Sequence, residues 1–312
     1  IFEISNRKVW CLIMAPDKEV TPVECRIVTR SLKNVIWYLL RKDTSSGECL
    51  QGKIPLTGKF NVHACYWKPR GSPTALVYFV PGILEYLSKP YDSLGKALSR
   101  LGCLCFGHDH VGFGESEGRQ GLASDTMYVD CLEHISAIRS IYRSLPLAVV
   151  SNNRGCLLAV RSIVDSVVSV DCLVLMNPPV TLFPIIEKPL NKFLVRIVNI
   201  ITPQVQFMRN DWNRSASSKY VKQLSWTRTM RLQSMLETFD AGKAQFKDIS
   251  KVDVPTLVVA GDSAPMVSVN EANTILDKIL TPRKSLIVIP RGHHNLMMDP
   301  DETKKLRRGG DG

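Results

Sequence analysis

The sequence of 312 residues lacks any apolar run long enough to cross a membrane. A transmembrane helix needs about 20 mostly apolar residues. The longest apolar stretches, Val9–Ala15 and Val35–Leu40, are much shorter and are flanked by charged residues. Integral membrane proteins are therefore excluded. A composition of 45% hydrophobic and 22% charged residues also excludes disordered and fibrous classes.

Motifs for metals and nucleotides are also missing. None of the nine cysteines forms a C-x-x-C pair, and Cys103 and Cys105 alternate as residues of a strand do. The adjacent histidines His293 and His294 have no cluster of cysteines or carboxylates near them at the spacing of metal ligands. The Gly112–Gly118 loop lacks the G-x-G-x-x-G spacing of a dinucleotide-binding site. We therefore expect no metal and no cofactor, and free thiols in a reducing, cytoplasmic compartment. The remaining histidines are interpreted as hydrogen-bonded side chains: His63, His108, His110 and His134.

The charge balance is basic, with 40 Lys and Arg against 29 Asp and Glu and a formal net charge of +11. This charge favours acidic partners such as anionic lipid surfaces. No nucleic-acid recognition motif accompanies the charge, so a nucleic-acid partner is not expected.

Apolar segments of strand length alternate with amphipathic segments from Asn61 onward. Strands that are apolar throughout and separated by helices predict a mostly parallel α/β sheet with helices on both faces. The predicted strands are Asn61–Trp67, Thr74–Val80, Cys103–Gly107, Pro146–Val150, Asp171–Met176, Pro255–Ala260 and Ser285–Ile289. The predicted helices lie near Leu87–Leu101, Asp125–Arg143, Gly155–Ser166 and Ser268–Leu280.

The ends and one internal segment depart from this rhythm. Residues 1–50 mix aliphatic and basic residues without a clean period, and we interpret them as an N-terminal extension of unknown structure. Residues 51–303 form the predicted domain. Within it, residues 179–250 lack a strand signal and are predicted to form a helical cap over the sheet. Residues 304–312 are interpreted as a basic C-terminal stub.

Three loops that follow apolar strands carry the candidate chemistry. Pro81–Glu85 contains a glycine that lets backbone N–H groups turn into a pocket. His108–Gly118 is predicted to be a tight loop held by side-chain bonds from Asp109 and Ser116. The third loop, Ser151-Asn-Asn-Arg-Gly-Cys156, resembles a G-x-S-x-G nucleophile elbow in which asparagine replaces the serine.

These loops make the chain similar to the monoacylglycerol lipase family of α/β-hydrolases from about Ile54 to Asp299. The most specific stretches are Tyr66–Leu76 and His108–Gly118, and Lys188–Gln206 is similar to the family's apolar lid. The resemblance implies an α/β-hydrolase fold and the hydrolysis of monoacylglycerol to fatty acid and glycerol. It also implies peripheral membrane contact through the cap. The first 50 residues have no counterpart in the family.

The resemblance also assigns site positions one residue at a time. The nucleophilic serine falls on Asn153 and the triad acid on Ala264. The base falls on His294, with His293 as a competitor. The oxyanion donors are the backbone N–H groups of Ile83 and Arg154. Two of the three triad positions therefore lack the side chain that the mechanism requires.

Removing the nucleophile of a serine hydrolase costs on the order of a million-fold in rate. The expectation is therefore a weak or inactive hydrolase. One alternative is a lipid- or protein-binding protein without catalysis. Another is an esterase with a substitute group: Ser151, Cys156, a deamidated Asn153, or Asp262 in the acid's place. A third is a decaying or mis-assembled coding sequence, whose product would express poorly and melt at a low temperature.

Overall fold

The computed structural model describes residues 30–41, 48–56, 60–123, 126–165, 168–179, 195–198, 200–202, 206–209, 229–236, 247–264, 268–292 and 295–297. His293, His294, the stub 304–312, residues 1–29 and most of the predicted cap lie outside the described residues. None of the described helices is long and apolar enough to span a bilayer.

An eight-stranded sheet forms the centre of the protein, in the order β1-β2-β4-β3-β5-β6-β9-β10. The strands are β1 (Cys49–Pro55), β2 (Asn61–Trp67), β3 (Ala75–Val80), β4 (Cys103–His108), β5 (Leu147–Asn152), β6 (Cys172–Met176), β7 (Gln206–Arg209), β8 (Thr229–Arg231), β9 (Thr256–Gly261) and β10 (Lys284–Ile289). The helices are α1 (Arg30–Arg41), α2 (Asp92–Arg100), α3 (Met127–Ile141), α4 (Gly155–Val164) and α5 (Val269–Lys278), with a 3₁₀ turn at Ile249–Lys251. β2 pairs antiparallel with both β1 and β4, and the remaining strands of this sheet, β4-β3-β5-β6-β9-β10, run parallel. The predicted α/β-hydrolase sheet is confirmed.

Alternation along each strand divides the core into two faces. In β4, Leu104 and Phe106 face one core with α1, α3, α4 and α5, whereas Cys103 and Cys105 face the other core with α2. Both faces of the parallel strands are therefore covered by apolar side chains, which is why these strands read as continuous apolar runs.

Part of the predicted N-terminal extension forms a helix that its sequence did not indicate. Residues 30–41 form α1, which buries Leu32, Ile36 and Leu39 in the main core. A Cβ added to Gly52 of β1 would lie 2.8 Å from Leu39, so the helix packs closely on this edge strand. The 3.6-residue period was obscured because aromatic residues, Trp37 and Tyr38, occupy the exposed face.

The prediction that residues 179–250 contain no strand was wrong. β7 and β8 form a two-stranded antiparallel sheet within that span. Strands of four and three residues are too short to show an alternating pattern in the sequence.

We expect α1 to contribute to stability as a part of the core. Ile36→Ala should lower the free energy of unfolding by about 2–5 kcal/mol, because Ile36 is fully buried and its loss leaves a cavity. The side chain of Tyr38, on the same helix, is 67% exposed. Tyr38→Ala should therefore change the free energy of unfolding by less than about 0.5 kcal/mol. Urea unfolding measures both. Equal effects of the two substitutions would contradict the packing of α1.

Candidate functional site

Asn153 stands at the apex of the turn between β5 and α4. Its φ is 47°, in the left-handed region that asparagine tolerates better than most residues. Its N–H donates to the carbonyl of Met176 at 2.9 Å, and its own carbonyl accepts from the N–H of Cys156 at 2.9 Å. The strained turn expected at this position is therefore present without a serine.

Gly155 lets the start of α4 approach the end of β3. A Cβ at this position would lie 2.7 Å from the carbonyl oxygen of Pro81 and would also overlap that of Val80. Any side chain here would push the helix away from the sheet. The glycine thus fixes the turn that carries Asn153 directly against the loop that begins at Pro81.

That loop holds the first predicted oxyanion donor. A Cβ on Gly82 would lie 3.0 Å from the Cβ of Asn153, so the loop and the turn are in close contact. Within the described part of the chain, the N–H of Ile83 has no hydrogen-bond acceptor. Arg154, the second predicted donor, follows Asn153 and is the N-cap of α4. The structure therefore brings the two predicted donor segments together beside Asn153.

Glu85 is a site residue that sequence reasoning missed. Its Oε2 accepts from the N–H of Gly82 at 2.8 Å and from the hydroxyl of Tyr91 at 3.1 Å. Its Oε1 accepts from Nδ2 of Asn152 at 2.7 Å. Burial raises the pKa of Glu85 to about 7, although these three hydrogen bonds lower it. The carboxyl group thus joins the oxyanion loop to the residue before Asn153.

The loops that carry the predicted acid and base positions meet at the ends of β9 and β10. Ala264 follows β9, and its N–H donates to the carbonyl of Gly261 at 3.4 Å. A Cβ on Gly292 would lie 3.0 Å from the Cα of Gly261, and Ser263 donates its N–H to the carbonyl of Gly292 at 3.1 Å. Glycine at both positions allows this close backbone approach.

The base loop also reaches the turn that carries Asn153. Asn295, which follows the undescribed His293 and His294, is buried, and its Oδ1 lies 3.5 Å from Nδ2 of Asn152. The chain beside the base position therefore contacts the residue before Asn153.

Asp262, the alternative acid, lies on the exposed side of this junction. Its Oδ1 accepts from the N–H of Arg291 at 2.6 Å and from the hydroxyl of Ser263 at 2.9 Å. These bonds hold the carboxylate at the turn that follows β10.

The two substitute nucleophiles do not lie at the apex. Ser151 is fully buried within β5 and donates its hydroxyl to the carbonyl of Val174 at 2.9 Å. Cys156 is buried in α4, where its Sγ lies 3.4 Å from the carbonyl of Met176, and burial raises the pKa of its thiol to about 12. A thiol with a raised pKa carries little of the reactive thiolate at neutral pH.

The side chain of Arg154 connects the turn to the span predicted to form the cap. Its Nη1 donates to the carbonyl of Ser234 at 3.2 Å. The hydroxyl of Ser234 in turn accepts from the N–H of Ala123 at 2.7 Å and donates to the carbonyl of Gly121 at 3.2 Å. Residues 229–236 are thereby anchored beside Asn153.

The loop after β4 has the predicted side-chain bonds. Asp109 accepts from the N–H of Leu87 at 2.8 Å and from the N–H of Glu115 at 3.0 Å. Ser116 donates to the carbonyl of Asp109 at 2.5 Å and accepts from the N–H of His63 at 2.8 Å. Asp109 therefore links this loop to the segment that follows the oxyanion loop.

Glu85 should make stability depend on pH. Between its ordinary value of 4.5 and its folded value of about 7, the unfolded chain releases the proton while the folded protein keeps it. The contribution of Glu85 to the free energy of unfolding should therefore fall by about 3 kcal/mol as pH rises through this window, against the opposite trend of the buried histidines His108, His110 and His134, whose pKa values burial lowers. Glu85→Gln should remove most of that fall, since glutamine does not titrate there. Exposed Asp253→Asn is the control. Urea unfolding from pH 4 to 8 measures the slope, and an unchanged slope in Glu85→Gln would refute the assignment.

The chain is similar to known proteins both in sequence and in fold. A family model described as "Serine aminopeptidase, S33" matches residues 71–301. Monoglyceride lipase of Rattus norvegicus is 30% identical over 148 residues, which is 47% of this chain and 48% of that protein, so the chain spans about half the length of this relative. The monoglyceride lipase homolog of Monkeypox virus is 26% identical over 253 residues, 78% of this chain and 90% of that protein.

A solved structure has the same fold. It is a soluble variant of monoglyceride lipase from Saccharomyces cerevisiae, with a TM-score of 0.70 and 14% identity over 86% of this chain and 93% of that one. At this identity the likeness shows the fold alone. The family match, by contrast, covers most of the sequence, so the chain belongs to the serine aminopeptidase S33 family and is a monoglyceride lipase-like α/β-hydrolase.

Proposed function

We propose that this protein binds monoacylglycerol or a similar lipid ester on the family scaffold and hydrolyses it weakly or not at all. The observation that carries the proposal is Asn153 at the apex of the turn after β5, with a φ of 47°. A carboxamide has no hydroxyl for a base to deprotonate, so it cannot form the acyl-enzyme of a serine hydrolase. The family position for attack is retained in shape and lacks its reactive group.

The rest of the proposed site would still polarise an ester. The N–H groups of Ile83 and Arg154 are the proposed donors to the carbonyl oxygen, supported by the contact between Gly82 and Asn153. Oxyanion stabilisation and binding alone leave roughly a thousand-fold acceleration over water in serine hydrolases that have lost their triad. This residual rate is the upper limit that we expect.

The acid position adds a second loss. We assign it to Ala264, whose methyl group cannot orient the imidazole that we assign to His294. Asp262 is held by the N–H of Arg291 at 2.6 Å, so serving as the acid would require that bond to break. Restoring both side chains should therefore restore the reaction.

Release of fatty acid from a monoacylglycerol tests the proposal. The natural chain should accelerate the reaction by no more than about a thousand-fold over the uncatalysed rate. The double variant Asn153→Ser with Ala264→Asp should be at least about 100-fold faster than the natural chain. Adding His294→Ala to the double variant should abolish that gain. Ser151→Ala and Cys156→Ala are the controls for substitute nucleophiles. Introduced into the natural chain, neither should change its rate of fatty acid release.

Two other results would separate the alternatives. Efficient turnover by the natural chain that His294→Ala stops would overturn the proposal. Lipid binding is measured independently, by displacement of a fluorescent monoacylglycerol analogue. No displacement by monoacylglycerol, from a chain that circular dichroism shows to be folded, would overturn the binding half.

Peripheral contact with anionic membranes is the second part of this proposal. Ile200 and Ile201, within the span predicted to form the cap, are 80% and 72% exposed, and the chain carries a net charge of +11. Exposed apolar side chains together with positive charge favour an anionic bilayer surface. The described cysteines are all free, which supports a reducing, cytoplasmic location.

Vesicle co-sedimentation tests the membrane contact. Ile200→Ser with Ile201→Ser should reduce binding to phosphatidylserine-containing vesicles by at least about 30-fold, since the two side chains, once buried in the bilayer surface, together contribute more than about 2 kcal/mol. Leu280→Ser is the matched control, because Leu280 is also 72% exposed but lies outside that span. An equal loss in both variants would assign the binding to general hydrophobicity rather than to this segment.

A further inference from the structure

A cluster of two histidines and one cysteine lies beneath the loop that follows β4. His108 ends β4, His110 lies two residues further on, and Cys131 lies on α3. One candidate ligand atom of each residue lies within 4.8 Å of those of the other two. The three residues are 1%, 2% and 1% exposed, so the cluster lies in the protein interior.

Two ring nitrogens of this cluster have unmet hydrogen-bonding capacity. Nε2 of His108 and Nδ1 of His110 are buried without a hydrogen-bond partner. Buried polar atoms are normally satisfied, and each exception calls for a water, an ion or a functional reason. Two such atoms on neighbouring rings favour a ligand that accepts electron pairs from both rings or bridges them.

The opposite nitrogen of each ring is already held. Nε2 of His110 lies 3.0 Å from the carbonyl of Pro81, which only accepts, so this nitrogen carries the proton and Nδ1 has the lone pair. Nδ1 of His108 lies 3.1 Å from the Tyr78 hydroxyl and 3.1 Å from Nδ1 of His134. A metal-binding histidine is typically oriented in this way, through a hydrogen bond of its other nitrogen.

The Tyr78 hydroxyl extends this support to the cysteine. It hydrogen-bonds the Cys131 side chain as well as His108, and Tyr66 holds the far side of His134 at 3.0 Å. The cluster is thus enclosed by a fixed polar shell in an otherwise apolar core.

We propose that His108, His110 and Cys131 form a binding site for a soft, closed-shell cation, Zn²⁺ or Cu⁺. Two imidazoles and one thiolate match the preference of these ions, and the absence of a carboxylate from the trio disfavours Ca²⁺ and Mg²⁺. Binding would release the thiol proton of Cys131 to solvent as the metal–sulfur bond forms. The argument for this site does not depend on the proposed function.

The site would also bear on the oxyanion loop. The ring of His110 holds the carbonyl of Pro81, the residue before Gly82. An ion that fixes this ring would stiffen the start of the loop. We therefore expect the bound ion to raise the melting temperature of the protein.

Metal titration of the purified, chelator-treated chain tests the proposal. The unmodified protein should bind one equivalent of Zn²⁺, measured by competition with a chromophoric chelator, or one of Cu⁺, measured under reducing conditions. Whichever ion binds more tightly identifies the occupant. Co²⁺ should give a thiolate-to-metal charge-transfer band, which requires the sulfur of a cysteine.

Matched cysteine variants locate the site. Cys131→Ala should weaken binding by about 100-fold and abolish the Co²⁺ band. Cys105→Ala removes a different fully buried thiol, on β4, and should leave the metal affinity and the Co²⁺ band unchanged. Thermal melting of the unmodified chain with and without the ion needs no variant to fold.

Either of two outcomes would overturn the site. One is that neither ion binds the unmodified chain at one equivalent or raises its melting temperature. The other is that Cys131→Ala binds as tightly as Cys105→Ala. A buried water between the two rings would then be the occupant.

Discussion

The register between β3 and β5 is the constraint on which the site depends. Val80 pairs with Ser151, so the chain leaves both strands at the same level and the two following loops meet. Gly82 and Gly155 allow that meeting because neither carries a Cβ that would separate the backbones. The neighbouring strands end at the same edge, so their loops join the same site. In parallel α/β sheets this edge is where ligands bind. The geometry of the site is therefore a property of the sheet and does not depend on the reactivity of the side chain at residue 153.

A network of neutral and charged polar groups beneath the loops reinforces this arrangement. Glu85 connects the loop that begins at Pro81 with Asn152. Asn177, whose φ is 44°, accepts a hydrogen bond on its Oδ1 from the N–H of Gly261 at 2.9 Å. These bonds are buried, and a buried polar group that loses its partner costs about 1–3 kcal/mol. The loops are thus held by contacts that do not involve the reacting side chains. A scaffold of this kind holds the turn at residue 153 independently of the chemistry of its side chain.

Much of this could be predicted from sequence, and the failures have physical reasons. All seven predicted sheet strands occur, because strands covered on both faces are apolar throughout. The bonds of Asp109 and Ser116 follow from short polar residues in a glycine-rich loop. The pattern could not reveal Glu85, since a carboxyl group in a loop is usually solvated. The grouping of His108 and His110 with Cys131 was also hidden, because the packing of α3 on the sheet creates it. α1 was missed since aromatic residues on its outer face obscured its period.

The antiparallel pairing of β1 and β2 has a consequence for how the protein is handled. The family match begins at residue 71, after both of these strands and after α1. A recombinant chain started there would expose the open edge of β4, whose N–H and C=O groups normally pair with β2 from Ala64 to Trp67. It would also remove the aliphatic side chains with which α1 covers the core. An unpaired edge beside uncovered apolar surface promotes aggregation. The boundary of the shared family region is therefore not a boundary at which this fold can be cut.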